Sequence, residues 1–135
     1  MSFDVRTIST AALAYLGDAV LEVLTRRRLV EQGYASSKSL NQHAAAYVTA
    51  EAQAAAMERL LPLLAEEEAA VFRRGRNIGH TATPRHATVA QYRTATGMEA
   101  LFGYLSLTGQ TERAMTLFGA AFPEQKKTTI KAERK

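Results

Sequence analysis

At 135 residues the chain has the size of one domain, able to bury about two thirds of its unfolded surface without covalent staples. It has no cysteine, which excludes disulfides, thiolate metal sites and cysteine nucleophiles. The net charge of +4 says little about a polyanionic partner, because residues 124–135 supply +3 of it and residues 1–123 only +1.

Helix-period patterning with abundant Ala and Leu predicts an all-α domain of about six helices over residues 1–123, followed by a basic tail, 124–135, expected to be mobile. A first helix runs from about Ser9 to Val30 and stops before Gln32-Gly33, where glycine supplies the left-handed turn. Ser36, Ser37 or Ser39 caps a second helix through Tyr47, and Thr49 starts a third that ends at Leu61-Pro62. Glu66-Glu67-Glu68 suits the N-terminus of a short fourth helix, and Arg73-Arg74 its C-terminus. Residues 77–87 read as a loop. Thr88-Val89-Ala90-Gln91 is a capping box for a fifth helix to about Thr108, and Thr111 caps a sixth to Phe122-Pro123. No stretch approaches the roughly 18 uncharged apolar residues of a membrane span, and Met1 to Arg6 lacks the pattern of a targeting peptide, so a soluble cytoplasmic protein is expected.

Two acids stand out in apolar surroundings. Asp18 lies in Gly17-Asp18-Ala19-Val20, bordering the stripe Leu13, Leu16, Val20 and Leu24; Glu99 lies in Gly97-Met98-Glu99-Ala100-Leu101-Phe102-Gly103. A desolvated carboxylate costs several kcal/mol unless it is paired, protonated or bound to a cation. Asp18 has a rival reading as the start of a surface charge ladder with Glu22 and Arg26. Glu99 has no basic residue one turn away to neutralise it. Gly17, Gly97 and Gly103 each cost about 1 kcal/mol inside a helix relative to Ala and suggest close helix approach. A crossing of helices one and five near Gly17 and Gly97 would bring the two acids together, where they repel unless a cation or a proton holds them. Oxygen-only ligation with few carboxylates is the pattern of Mg²⁺ completed by substrate phosphate, which implies phosphoester chemistry.

Eleven of the twelve basic residues in 1–123 are arginine, the type suited to bidentate phosphate contacts. Arg73, Arg74, Arg76, Asn77 and Arg85, with His80 and His86 nearby, form the candidate phosphate-binding region. The competing reading there is a helix end decorated with cations; Gly75 between the arginines favours a phosphate-contacting turn. Arg26-Arg27-Arg28 reads as a solvated helix end. His43, His80 and His86 have no helical metal spacing, and Tyr15, Tyr92, Phe102 and Tyr104 read as core.

Leu16-Gly17-Asp18-Ala19-Val20-Leu21 resembles the signature of the ribonuclease III catalytic domain, and Glu99-Ala100-Leu101-Phe102-Gly103-Tyr104 its second acidic helix. Arg74-Gly75-Arg76-Asn77, Thr83-Pro84 and Gln91-Tyr92-Arg93 resemble the Mini-ribonuclease III branch more specifically, and the likeness runs from about Ala11 to Phe122. The resemblance implies a helical endonuclease fold, a homodimer lining a cleft for double-stranded RNA, and Mg²⁺-dependent hydrolysis to 5′-phosphate and 3′-hydroxyl ends. It assigns Asp18 and Glu99 as the metal-binding catalytic acids and precursor large-subunit ribosomal RNA as substrate. Ala14 and Thr96 stand where the longer ribonuclease III pattern has two further acids, and the sequence ends without a double-stranded-RNA-binding domain. The alternative expectation is a catalytically silent helical RNA-binding or ribosome-associated module.

Overall fold

The computed structural model describes residues 4–78 and 87–124; the expected tail beyond 124 and His80, Arg85 and His86 fall outside them. A short 3-10 turn, Val5–Thr7, precedes α1 (Thr10–Glu31), α2 (Ser37–Val48), α3 (Ala50–Leu60), α4 (Glu66–Arg76), α5 (Val89–Leu107) and α6 (Thr111–Ala121). The domain is all-α, and the described residues contain no strand. Caps fall on the expected residue types: Ser9, Ser36, Thr49 and Thr88 each accept an amide hydrogen bond from three residues on. Thr88 and Gln91 complete the capping box reciprocally. At the other end of α1, Gly33 takes φ 102°, and the Tyr34 amide donates back to the Leu29 carbonyl. One cap differs from expectation. Gln110, not Thr111, occupies the N-cap of α6, and it contributes no side-chain bond there.

The fold is organised around α5, against which α1, α3 and α4 all pack. Every residue of α5 from Ala95 to Leu105 is buried except Glu99. A helix apolar on all sides belongs in the middle of a bundle, and an acid that interrupts such a run marks a functional position. Leu13 and Leu21 of α1, Met57 and Leu60 of α3, and Phe72 of α4 close the core around it.

Two arginine-centred anchors tie the periphery. Glu68, 4% exposed, takes both arms of the Arg113 guanidinium at 2.8 Å and also accepts the Ala65 amide; the arginine holds its carboxyl below the usual glutamate range. Arg28 corrects the reading of Arg26-Arg27-Arg28 as a solvated helix end. It is 9% exposed, lies 4.8 Å over the Phe118 ring, donates to the Phe122 carbonyl and sits 3.5 Å from Glu124. Arg26 and Arg27 do stay at the surface, paired with Glu22 and Glu31.

Candidate active site

The close approach of α1 and α5 is a contact of main chain on main chain. A Cβ built on Gly17 would lie 1.5 Å from the Glu99 carbonyl oxygen, and one on Gly103 would lie 1.9 Å from the Leu13 carbonyl oxygen. The expected crossing partner was Gly97, and the structure corrects this. Gly97 faces the other way, where the Phe72 ring and the Gly75 backbone of α4 cover it. Gly75 is likewise buried against Ala100 and Gly97, so it serves helix packing and not a phosphate-contacting turn.

The Gly17 contact sets the acids side by side. Asp18 is exposed and Glu99 half-buried, so the desolvation expected of Asp18 falls on its partner. Burial, then the charge of Asp18, then a hydrogen bond between the two carboxyls push Glu99 up to about 8. Among the described residues no Arg, Lys or His lies within ion-pair distance of either acid. Of the charge ladder that is the rival reading for Asp18, the Glu22–Arg26 pair forms at 3.2 Å and Asp18 is exposed one turn before it. One turn before each acid stand Ala14 and Thr96, and the Thr96 hydroxyl donates to the Tyr92 carbonyl at 3.1 Å. The described residues contain no cluster of three or more potential ligands.

Two hard oxygen donors in hydrogen-bonding contact, one protonated for want of a counter-charge, fit a small divalent cation that takes part of its shell from water and substrate. The chemistry such a pair supports is metal-assisted hydrolysis.

Toward its C-terminus α4 presents Arg73, Arg74 and Arg76, all exposed. Arg74 donates to the Ile8 carbonyl at 3.2 Å, Arg76 lies 5.7 Å from the Phe72 ring centroid, and Asn77 caps the helix. Sequence reasoning gave no role to Arg93. It joins Arg76 and Asn77 at one cleft, and the available signal was its place in Gln91-Tyr92-Arg93. Two aromatics expected in the core are at the surface, Tyr15 at 85% exposure and Tyr92 at 38%, whereas Phe102 and Tyr104 are buried. His43 stacks on Tyr34 with centroids 3.9 Å apart.

An all-helical domain with a bare carboxylate pair at its central helix crossing suits hydrolysis of a phosphodiester. The Ribonuclease III domain profile matches residues 11–110. A Mini-ribonuclease 3 from Symbiobacterium thermophilum is 48% identical over 115 residues, 85% of this chain and 88% of that protein. Another from Thermoanaerobacter is 43% identical over 109 residues, 81% of this chain and 77% of that protein. An X-ray structure of a protein from Fusobacterium nucleatum superposes with a TM-score of 0.78 at 32% identity, over 87% of this chain and 94% of that one. The chain belongs to the ribonuclease III family and is an endoribonuclease.

Proposed function

We propose that the chain is a Mg²⁺-dependent endonuclease of double-stranded RNA that matures precursor large-subunit ribosomal RNA in the cytoplasm as a homodimer. The observation that carries this reading is the Asp18–Glu99 pair, two carboxyl groups in contact with no cationic neighbour among the described residues. Asp18 and Glu99 would hold the Mg²⁺, which would supply Lewis-acid chemistry to acidify water and offset charge on the phosphate. Glu99 must surrender its proton for the pair to ligate, and its half-buried position on α5 fixes the inner side of the site. Asp18, exposed on α1, faces the solvent from which substrate arrives. Water attacks phosphorus and the 3′ oxygen leaves, giving 5′-phosphate and 3′-hydroxyl ends. Arg73, Arg74, Arg76 and Asn77, with Arg85 beyond the described residues, contribute the grip on the RNA backbone; binding is therefore salt-sensitive and reads shape more than sequence.

One site cuts one strand, and a second copy supplies the other. The outward stripe of α1 favours that partner: Ala12, Tyr15, Ala19 and Val23 are all exposed and follow one another at helical spacing beside Asp18. Tyr15, 85% exposed within that stripe, supports a partner on this face.

Duplex RNA with Mg²⁺ and a comparison of wild type with Asp18→Asn test the reading. Cleavage by wild type is expected, with loss of cleavage in the variant. Cleavage that survives the substitution removes Asp18 from the mechanism, and no cleavage by either protein returns the chain to a silent RNA-binding module.

A further inference from the structure

Between the end of α4 and the start of α5 lies a cleft lined by Arg76, Asn77, Val89, Ala90, Arg93 and Thr94. Arg76 and Arg93 come from different helices, and among the described residues the lining contains no carboxylate. Among the described residues neither arginine has an acidic partner, whereas Arg6, Arg26, Arg27, Arg28 and Arg113 each do. Two guanidiniums that converge without a counter-charge repel, and an oxyanion between them removes the repulsion.

The end of α4 is capped in part by backbone amides. A basic residue at a helix C-terminus ordinarily offsets unpaired carbonyls, but here the Arg73 carbonyl is taken by the Asn77 amide at 3.0 Å and the Gly75 carbonyl by the Ile78 amide at 3.3 Å. The Thr94 hydroxyl and Asn77 amide add neutral donors, and Val89 and Ala90 give an apolar wall. That set suits a phosphodiester with its ribose. Arg93 lies six residues before Glu99, roughly 9 Å along the helix axis and about 120° around it, so the cleft and the acid pair open on different sides of α5.

We infer that this cleft holds a backbone phosphate of the bound duplex, with Arg93 and Arg76 as its two arms and Thr94 and Asn77 as neutral donors. The inference rests on the duplex-RNA function proposed above and adds Arg93 and Thr94 to its binding residues.

Fluorescence anisotropy with an end-labelled RNA duplex across a salt series, in an Asp18→Asn background that leaves the RNA whole, provides the test. Arg93→Ala is expected to weaken binding about tenfold at low salt and to reduce the slope of log affinity against log salt by about one, with melting temperature unchanged. Arg93→Lys restores the slope. An unchanged slope in Arg93→Ala, with the parent binding normally, overturns this inference and leaves the function intact. A parent that shows no salt-dependent duplex binding overturns the function and this inference together. A fall in melting temperature that tracks the affinity loss and is not rescued by Lys makes Arg93 structural and also overturns it. Inorganic phosphate bound in the cleft, with duplex affinity indifferent to Arg93→Ala, assigns the site to the free anion instead.

Discussion

Replacing Glu99 by Gln keeps the side chain's size and removes its charge. In metal-free protein, burial and the facing Asp18 raise its carboxyl from 4.5 to about 8. The folded state then holds a proton that the unfolded state releases. Stability from that proton is complete below the unfolded value, declines as pH rises, and is lost above about pH 8. A shift of this size corresponds to roughly 5 kcal/mol as a ceiling, and solvent reaching a half-buried group lowers it to roughly 2–4 kcal/mol. For a chain of this length each kcal/mol moves the melting temperature by about 3–4 °C. Glu99→Gln is therefore expected to melt roughly 10 °C above wild type at about pH 9 without metal, and to coincide with it near pH 4. Mg²⁺ should raise the melting temperature of wild type at alkaline pH and leave the variant unmoved, while the variant's nuclease activity collapses. Differential scanning fluorimetry over pH, with and without Mg²⁺, measures all of this. A variant that melts below wild type at alkaline pH would show that Glu99 stabilises the core as an anion, and the desolvation argument would be refuted.

Gly17→Ala would place a methyl 1.5 Å from a backbone oxygen that no rotamer change can move; a loss of at least about 3 kcal/mol is expected by chemical denaturation. A loss under about 1 kcal/mol would mean that the crossing is loose. Arg113→Ala strands the buried Glu68, whose lowered carboxyl contributes stability that is present above the ordinary glutamate range and lost as pH falls through the lowered value. The variant should lose about 2 kcal/mol near neutrality and little in acid; an equal loss at both would place the effect in packing. Tyr15→Asp should convert a dimer into a monomer in sedimentation, and a dimer that persists would move the interface off the outer stripe of α1.

Helix positions were legible because they depend on local signals, namely Ser and Thr caps, Gly33 and the capping box at Thr88. The acid pair was also visible, since Glu99 alone breaks a run buried on every side. What the sequence hid was which neighbour each glycine meets. Gly97 and Gly103 differ by six residues, which turns them toward α4 and α1 respectively, and spacing within one helix does not say where other helices lie. The same limit misread Tyr15 as core, because an apolar stripe looks alike in sequence whether it faces the protein's interior or its surface. Arg28 was missed because its aromatic partners, Tyr47 and Phe118, come from helices distant in sequence.

The Gly17–Gly103 junction gives the site an unusual heredity. Where two helices meet through side chains, each core substitution reshapes the gap and shifts whatever hangs from it. Here the gap contains only backbone, which every amino-acid sequence shares, so surrounding residues can drift while the spacing of Asp18 and Glu99 does not. The space left by two missing methyl groups sets how closely the helices that carry the acids approach.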